Sequence, residues 1–128
     1  MEAADRCNFT LQKMKVMQTI KEKINHLNQL ILEGKALEGF ELYYDDEVVM
    51  QENENPATVG KSANRRREIE FFGNITEFRS ALPIDIAIGD NTSYVKWHFD
   101  YTHKHWGVRK YVQVSVQTWR DGKIVKEQ

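Results

Sequence analysis

Cysteine is almost missing from this sequence. Cys7 stands alone among 128 residues, so no disulfide can form within the chain, and a reducing compartment is the natural setting. It precedes the first periodic segment with no base indicated beside it, so nucleophilic thiol chemistry is not expected. A charge excess of one sign is lacking too. Lysine plus arginine number 18 against 19 acids, leaving no long-range field to draw in nucleic acid or an anionic membrane. No apolar run approaches the length of a membrane span, and Met1–Arg6 carries acids where a secretory signal would be apolar. A cytoplasmic protein is therefore expected. Also absent are a phosphate-cradling glycine loop, a Gly-x-Ser-x-Gly elbow and a four-cysteine zinc pattern, which disfavours nucleotide hydrolysis and serine hydrolase chemistry.

The composition that remains, 41% hydrophobic and 29% charged with only two prolines, is that of one globular domain spanning residues 1–128, the first eight mobile. From Asn8 to Glu33 the apolar residues Met14, Met17, Ile20, Ile24, Leu27 and Ile31 recur every three or four positions. That spacing predicts one helix with a single apolar stripe, ended by Gly34 in a positive-φ conformation. Ala36, Leu37, Phe40, Tyr43 and Tyr44 form the face of a second, shorter helix. Glu47–Glu52 contains the β-branched pair Val48-Val49 and reads as a short strand that Pro56 follows and breaks. Ser62 is the expected N-cap of a third helix reaching Asn74, with Ile69, Phe72 and Ile75 inward.

Beyond Ile75 the pattern is β. A strand over Glu77–Ile88 contains Pro83, so it belongs at an edge, bent or interrupted. Two strands follow, Thr92–His105 and Val108–Arg120, each roughly twice the usual five or six residues. Val112, Val114 and Val116 share one face of the second, and Tyr111, Gln113, Ser115, Gln117 and Trp119 the other. Asp121-Gly122 signals a hairpin into a last strand, Lys123–Glu127. Helices first and antiparallel strands after predict an α+β layer architecture, and strands this long must curl, leaving a pocket on the concave side.

This order of elements resembles the nuclear-transport-factor-2-like superfamily, and two local patterns resemble its SnoaL-like domains. One is Tyr43-Tyr-Asp-Asp-Glu-Val-Val-Met-Gln-Glu-Asn-Glu-Asn-Pro-Ala-Thr-Val-Gly-Lys61, after the second helix. The other is Val116-Gln-Thr-Trp-Arg-Asp-Gly-Lys-Ile-Val125, the last hairpin. The likeness covers the chain from about residue 10. It implies a cone-shaped fold, three N-terminal helices packed on a strongly curved antiparallel sheet. It also implies an apolar pocket and a homodimer through the outer sheet face. The chemistry of such domains ranges over isomerases, cyclases, dehydratases, hydrolases and binding modules, so the fold does not choose the function.

An acid or base inside the cone would come from Asp45, Asp46, Glu52, Glu54, His98 or Asp100, with Glu52, His98 and Asp100 foremost. Most carboxylates are simply solvated, which is the plain alternative for each. By alternation Trp97, Phe99 and Tyr101 share the face opposite His98 and Asp100, and the aromatic face is the better candidate for burial. Tyr44, Met50, Phe72, Trp97, Phe99, Tyr101 and Trp119 are the expected ligand-binding set, though they could equally form a filled core. His103 and His105 project from one strand face as a metal-binding pair would, but no third or fourth ligand follows at a telling offset. Arg65-Arg66-Arg67 spreads around a helix and reads as a solvated face. The expectation is a small apolar organic ligand, no metal and no cofactor. An isomerase, cyclase or dehydratase and a protein-interaction module are the alternatives.

Overall fold

The computed structural model describes residues 20–128. The first helix, α1, covers 20–32 of these. It is followed by α2 (Ala36–Tyr43), β1 (Tyr44–Met50), β2 (Thr58–Val59), α3 (Lys61–Gly73), β3 (Ile75–Ile88), β4 (Thr92–His103), β5 (Gly107–Arg120) and β6 (Lys123–Glu127). The expectations for Cys7, Met14, Met17 and the first eight residues lie outside the described part. Among the described residues no helix is long and apolar enough to cross a membrane.

Three helices pack on a six-stranded sheet of order β2-β1-β6-β5-β4-β3. The sheet is mixed rather than purely antiparallel, because β1 runs parallel to β6. Parallel neighbours need a long connection, and here all of β2–β5 and α3 intervenes. β3 forms one edge of the sheet, so Pro83 needs no donor on its outer side. Its pairing with β4 shifts register three times, including between Pro83 and Asp85, and such bulges bend and twist a strand. The sheet curls without closing.

The core forms where α1 crosses the concave side. Ile24, Val48, Val95 and Ile124 are wholly buried, joined by Leu27, Phe40 and Trp119. Two glycines set the α1–α2 corner. Gly34 ends α1 at φ +76°, a conformation with no Cβ penalty for glycine. At Gly39 a Cβ would sit 2.6 Å from Leu27 Cδ1, so the bare backbone lets the two helices touch.

The third helix departs from expectation. Gly60 occupies its N-cap, and Ser62 lies exposed inside the first turn. What holds this end is buried Asn64, whose Nδ2 donates to the carbonyls of Gly60 (2.8 Å), Thr58 (3.0 Å) and Val48 (3.3 Å). Ile69 is exposed, not inward. The inner face of α3 runs instead through Asn64, Glu68 and Phe72, at intervals of four. Of the arginine run, Arg65 pairs with Glu41, Arg67 reaches Thr58 Oγ1 at 2.5 Å and Arg66 is exposed.

Candidate functional site

Between the helices and the curled sheet lies a cavity of about 460 Å³, within the range that takes small organic ligands. Leu27, Ile31, Phe40, Phe72, Trp97 and Phe99 give it an apolar wall. The remaining wall is polar. Gln113, Ser115 and Gln117 on β5 face it, while Val112 and Val114 point to solvent, so β5 turns its polar face inward. Tyr44, Glu68 and Glu127 complete that side.

A chain of hydrogen bonds fixes the polar wall. Trp119 Nε1–H donates to Ser93 Oγ (2.9 Å), and the Ser93 hydroxyl donates to Gln117 Oε1 (2.7 Å). This sets the Gln117 amide, whose Nε2–H donates to Glu127 Oε2 at 3.1 Å. The Tyr44 hydroxyl donates to the same oxygen. Each buried polar group in the chain meets a partner, which rigidifies the wall.

The two carboxyls hold their protons unusually well. Burial raises Glu68 from the usual carboxyl value to about 7, and the nearby charge of Glu127 adds to this. Arg67 opposes the shift and Glu52 reinforces it. Glu127 is raised by burial too, although the bonds from Tyr44 and Gln117 work against that. Burial first, then the Glu127 charge, pushes the Tyr44 hydroxyl well above its ordinary range, so it stays a donor. A carboxyl that titrates near neutrality can both take and return a proton.

Helices laid over an open, curled mixed sheet, with a lined cavity on the concave side, define the architecture. It is the fold of solved proteins described as SnoaL-like and nuclear-transport-factor-2-like. No family model matches the sequence and no curated protein matches it, so the likeness is carried by solved structures. A proposed SnoaL-like polyketide cyclase from Mesorhizobium loti superposes with a TM-score of 0.73 at 22% identity, over 84% of this chain and 95% of that one. A nuclear-transport-factor-2-like protein of unknown function from Burkholderia xenovorans LB400 gives 0.69 at 19% identity, over 86% and 80%. An LEH-like epoxide hydrolase from M. tuberculosis gives 0.68 at 10% identity, over 87% and 80%.

Within this SnoaL-like fold the expected residues scatter. Tyr44, Phe72, Trp97 and Phe99 line the cavity. Odd-numbered residues of β4 face inward, as the aromatic set suggested. Met50 packs against the core away from the cavity wall. Tyr101 is buried against Phe71 and bonded to the Tyr111 hydroxyl at 2.9 Å. Trp119 anchors the hydrogen-bond chain. None of the three foremost proton-transfer candidates reaches the cavity wall. Glu52 is exposed in the turn after β1. His98 stands on the outer face, paired across the strands with Leu82 and Val112. Asp100, on that same face, accepts from Arg79 Nε at 2.7 Å and lies 3.9 Å from Lys110.

The carboxyls that do reach the wall, Glu68 and Glu127, escaped the sequence reading. Glu68 sat in a helix assumed to turn apolar residues inward. Glu127 is displaced by a bulge. Trp119 pairs with Ile124 and Gln117 with Glu127, so Ile124 and Glu127 share the inner face although three positions apart. The histidine rings stay 5.9 Å apart but differ in surroundings. His103 is buried and stacked on Trp106 (3.8 Å between centroids, planes 10° apart), and its Nδ1 accepts from the His105 amide. His105 is exposed in the turn beyond β4.

Proposed function

We propose that this chain binds a small organic molecule in the cavity, with its apolar body against Trp97, Phe99 and Phe72 and its polar end toward Glu68 and Glu127. The observation that carries this reading is an aromatic wall and a carboxyl pair facing one space of about 460 Å³. No cofactor is required for recognition. A thermal-shift screen against steroids, phenolics, polyketide-like and terpenoid compounds tests it. A compound at about 100 times its Kd should stabilise the fold by roughly 2.7 kcal/mol, a readily measured rise in Tm. If every compound in such a panel leaves Tm unchanged, the ligand reading fails.

A second reading, cofactor-independent isomerase, cyclase or dehydratase chemistry, is favoured by Glu68 alone. Its carboxyl is poised to accept a proton from one ligand atom and return it to another, while Tyr44 holds Glu127 in place. The fold neighbours described as a polyketide cyclase and an epoxide hydrolase support an enzymatic use of this space.

The outer sheet face supports a homodimer. Leu82 (55% exposed), Val112 and Val114 (each 54%) and Tyr94 (43%) form an apolar field bordered by the Arg79–Asp100–Lys110 charges. In sedimentation the protein should run as a dimer, and Val112→Glu should return it to monomer without unfolding it. A monomeric wild type at high concentration would remove both the dimer and an interaction role for this face.

A further inference from the structure

Two features of the cavity remain without a complement on the protein side. One is the carboxyl pair. Among the described residues that line the cavity the only cationic side chain is Lys35, which sits in the exposed α1–α2 turn and lies 3.8 Å from Glu33. Arg67, next to Glu68 in the chain, turns to Thr58 instead. The other is Asn28 on α1, which is 4% exposed, lines the cavity, and has an Nδ2 with no hydrogen-bond partner among the described residues. Buried donors without partners are rare, and one on a cavity wall is a place for a ligand's acceptor atom.

We propose that the cavity is built for a protonated amine on an apolar body that also carries an acceptor oxygen, the ammonium meeting Glu68 and Glu127 and the oxygen meeting Asn28. This names the ligand class of the binding reading above and rests on it. Bringing an anion into the cavity would set like charge beside two partly buried carboxyls. A neutral guest would leave them uncompensated, whereas an ammonium neutralises them and donates to the free Glu127 Oε1 and to Glu68. The apolar wall suits the same guest. Trp97 and Phe99 stack at 5.2 Å with planes 13° apart, so together they offer one extended π-face, and such faces attract organic cations.

The groups facing Glu68 fix how binding responds to pH. They are Glu127 from β6, Tyr44 from β1, Glu52 from the turn after β1 and Arg67 from α3 itself. Among them only Arg67 favours the ionised form, and an arriving ammonium would add a second cation beside it. Binding at neutral pH should therefore release a fraction of a proton from Glu68 to the buffer.

Isothermal titration with matched arylalkyl series tests the proposal. Phenoxypropylamine, phenoxypropanol and phenoxypropanoate vary the head group, and phenylbutylamine removes the ether oxygen. The amines should bind at least roughly ten-fold more tightly than the alcohols, with the carboxylates weakest. Glu68→Gln should collapse that preference, with circular dichroism confirming that the variant is folded. Asn28→Ala should erase the advantage of phenoxypropylamine over phenylbutylamine. If alcohols bind wild type as well as amines do, the cation class is overturned while the cavity reading stands. If the preference survives in Glu68→Gln, the assignment of the carboxyl is overturned. If no member of any series binds and the broad screen is silent too, both readings fall.

Discussion

Replacing Trp119 with alanine is expected to destabilise the fold by about 3–5 kcal/mol, the range for truncating a buried large aromatic. Trp119 is 4% exposed, pairs across the strands with wholly buried Ile124, and meets Tyr43 edge-on at 6.3 Å. Its loss also removes the donor to Ser93, the first link of the chain that orients Gln117 toward Glu127. Trp119→Phe separates the two effects. It keeps most of the packing and should cost about 1–3 kcal/mol, the penalty of leaving a buried hydroxyl short of a partner. Urea unfolding of the three proteins measures this. A loss below about 1 kcal/mol for the alanine variant would mean the site around Trp119 collapses freely, contrary to a packed core.

Glu68→Gln should make the protein more stable than wild type above neutrality. The folded-state value of about 7 lies above the ordinary carboxyl value of 4.5, so the folded protein holds the Glu68 proton more tightly than the unfolded chain. The stabilisation from that proton is fully present below the unfolded value and is lost as pH rises through about 7. Wild-type stability should thus fall between about pH 5 and pH 8 by up to roughly 3 kcal/mol from this group, less where water enters the cavity. The glutamine variant, uncharged throughout, should show a flatter profile. Urea unfolding at both pH values decides it, and parallel profiles would show that Glu68 ionises freely in the folded protein.

Much of the scaffold is visible in the sequence because local rules suffice for it. The stripe through Ile20, Ile24 and Leu27 needs only helical periodicity, and Asp121-Gly122 needs only turn chemistry, met here by φ values of 52° and 78°. Pro83 announces an edge strand by the donor it lacks. The aromatic alternation of Trp97, Phe99 and Tyr101 places three rings inward. The polar wall obeys no such rule. Asn64 and Glu68 occupy the inner side of a helix whose apolar Ile69 faces water, because beneath Asn64 lie backbone carbonyls to satisfy and beneath Glu68 a cavity, rather than a core to fill. The inward face of β5 likewise holds glutamines and a serine: Gln113 donates to Ser115 on the same strand, and Gln117 answers to Ser93 and Glu127 on its neighbours, pairings that periodicity does not reveal.

The bulge beside Val125 bears on how such a cavity can change over generations. In an unbroken ladder the inner positions are edited by substitution, one side chain at a time. Here a bulge absorbs one extra residue, so Glu127 holds the inner place that plain alternation would give Lys126. Dropping Val125 would set the acid two residues after Ile124, where alternation alone turns it inward opposite Gln117. The acidic lining thus survives a one-codon change in length, a step that a comparison of aligned residue identities would record only as a gap.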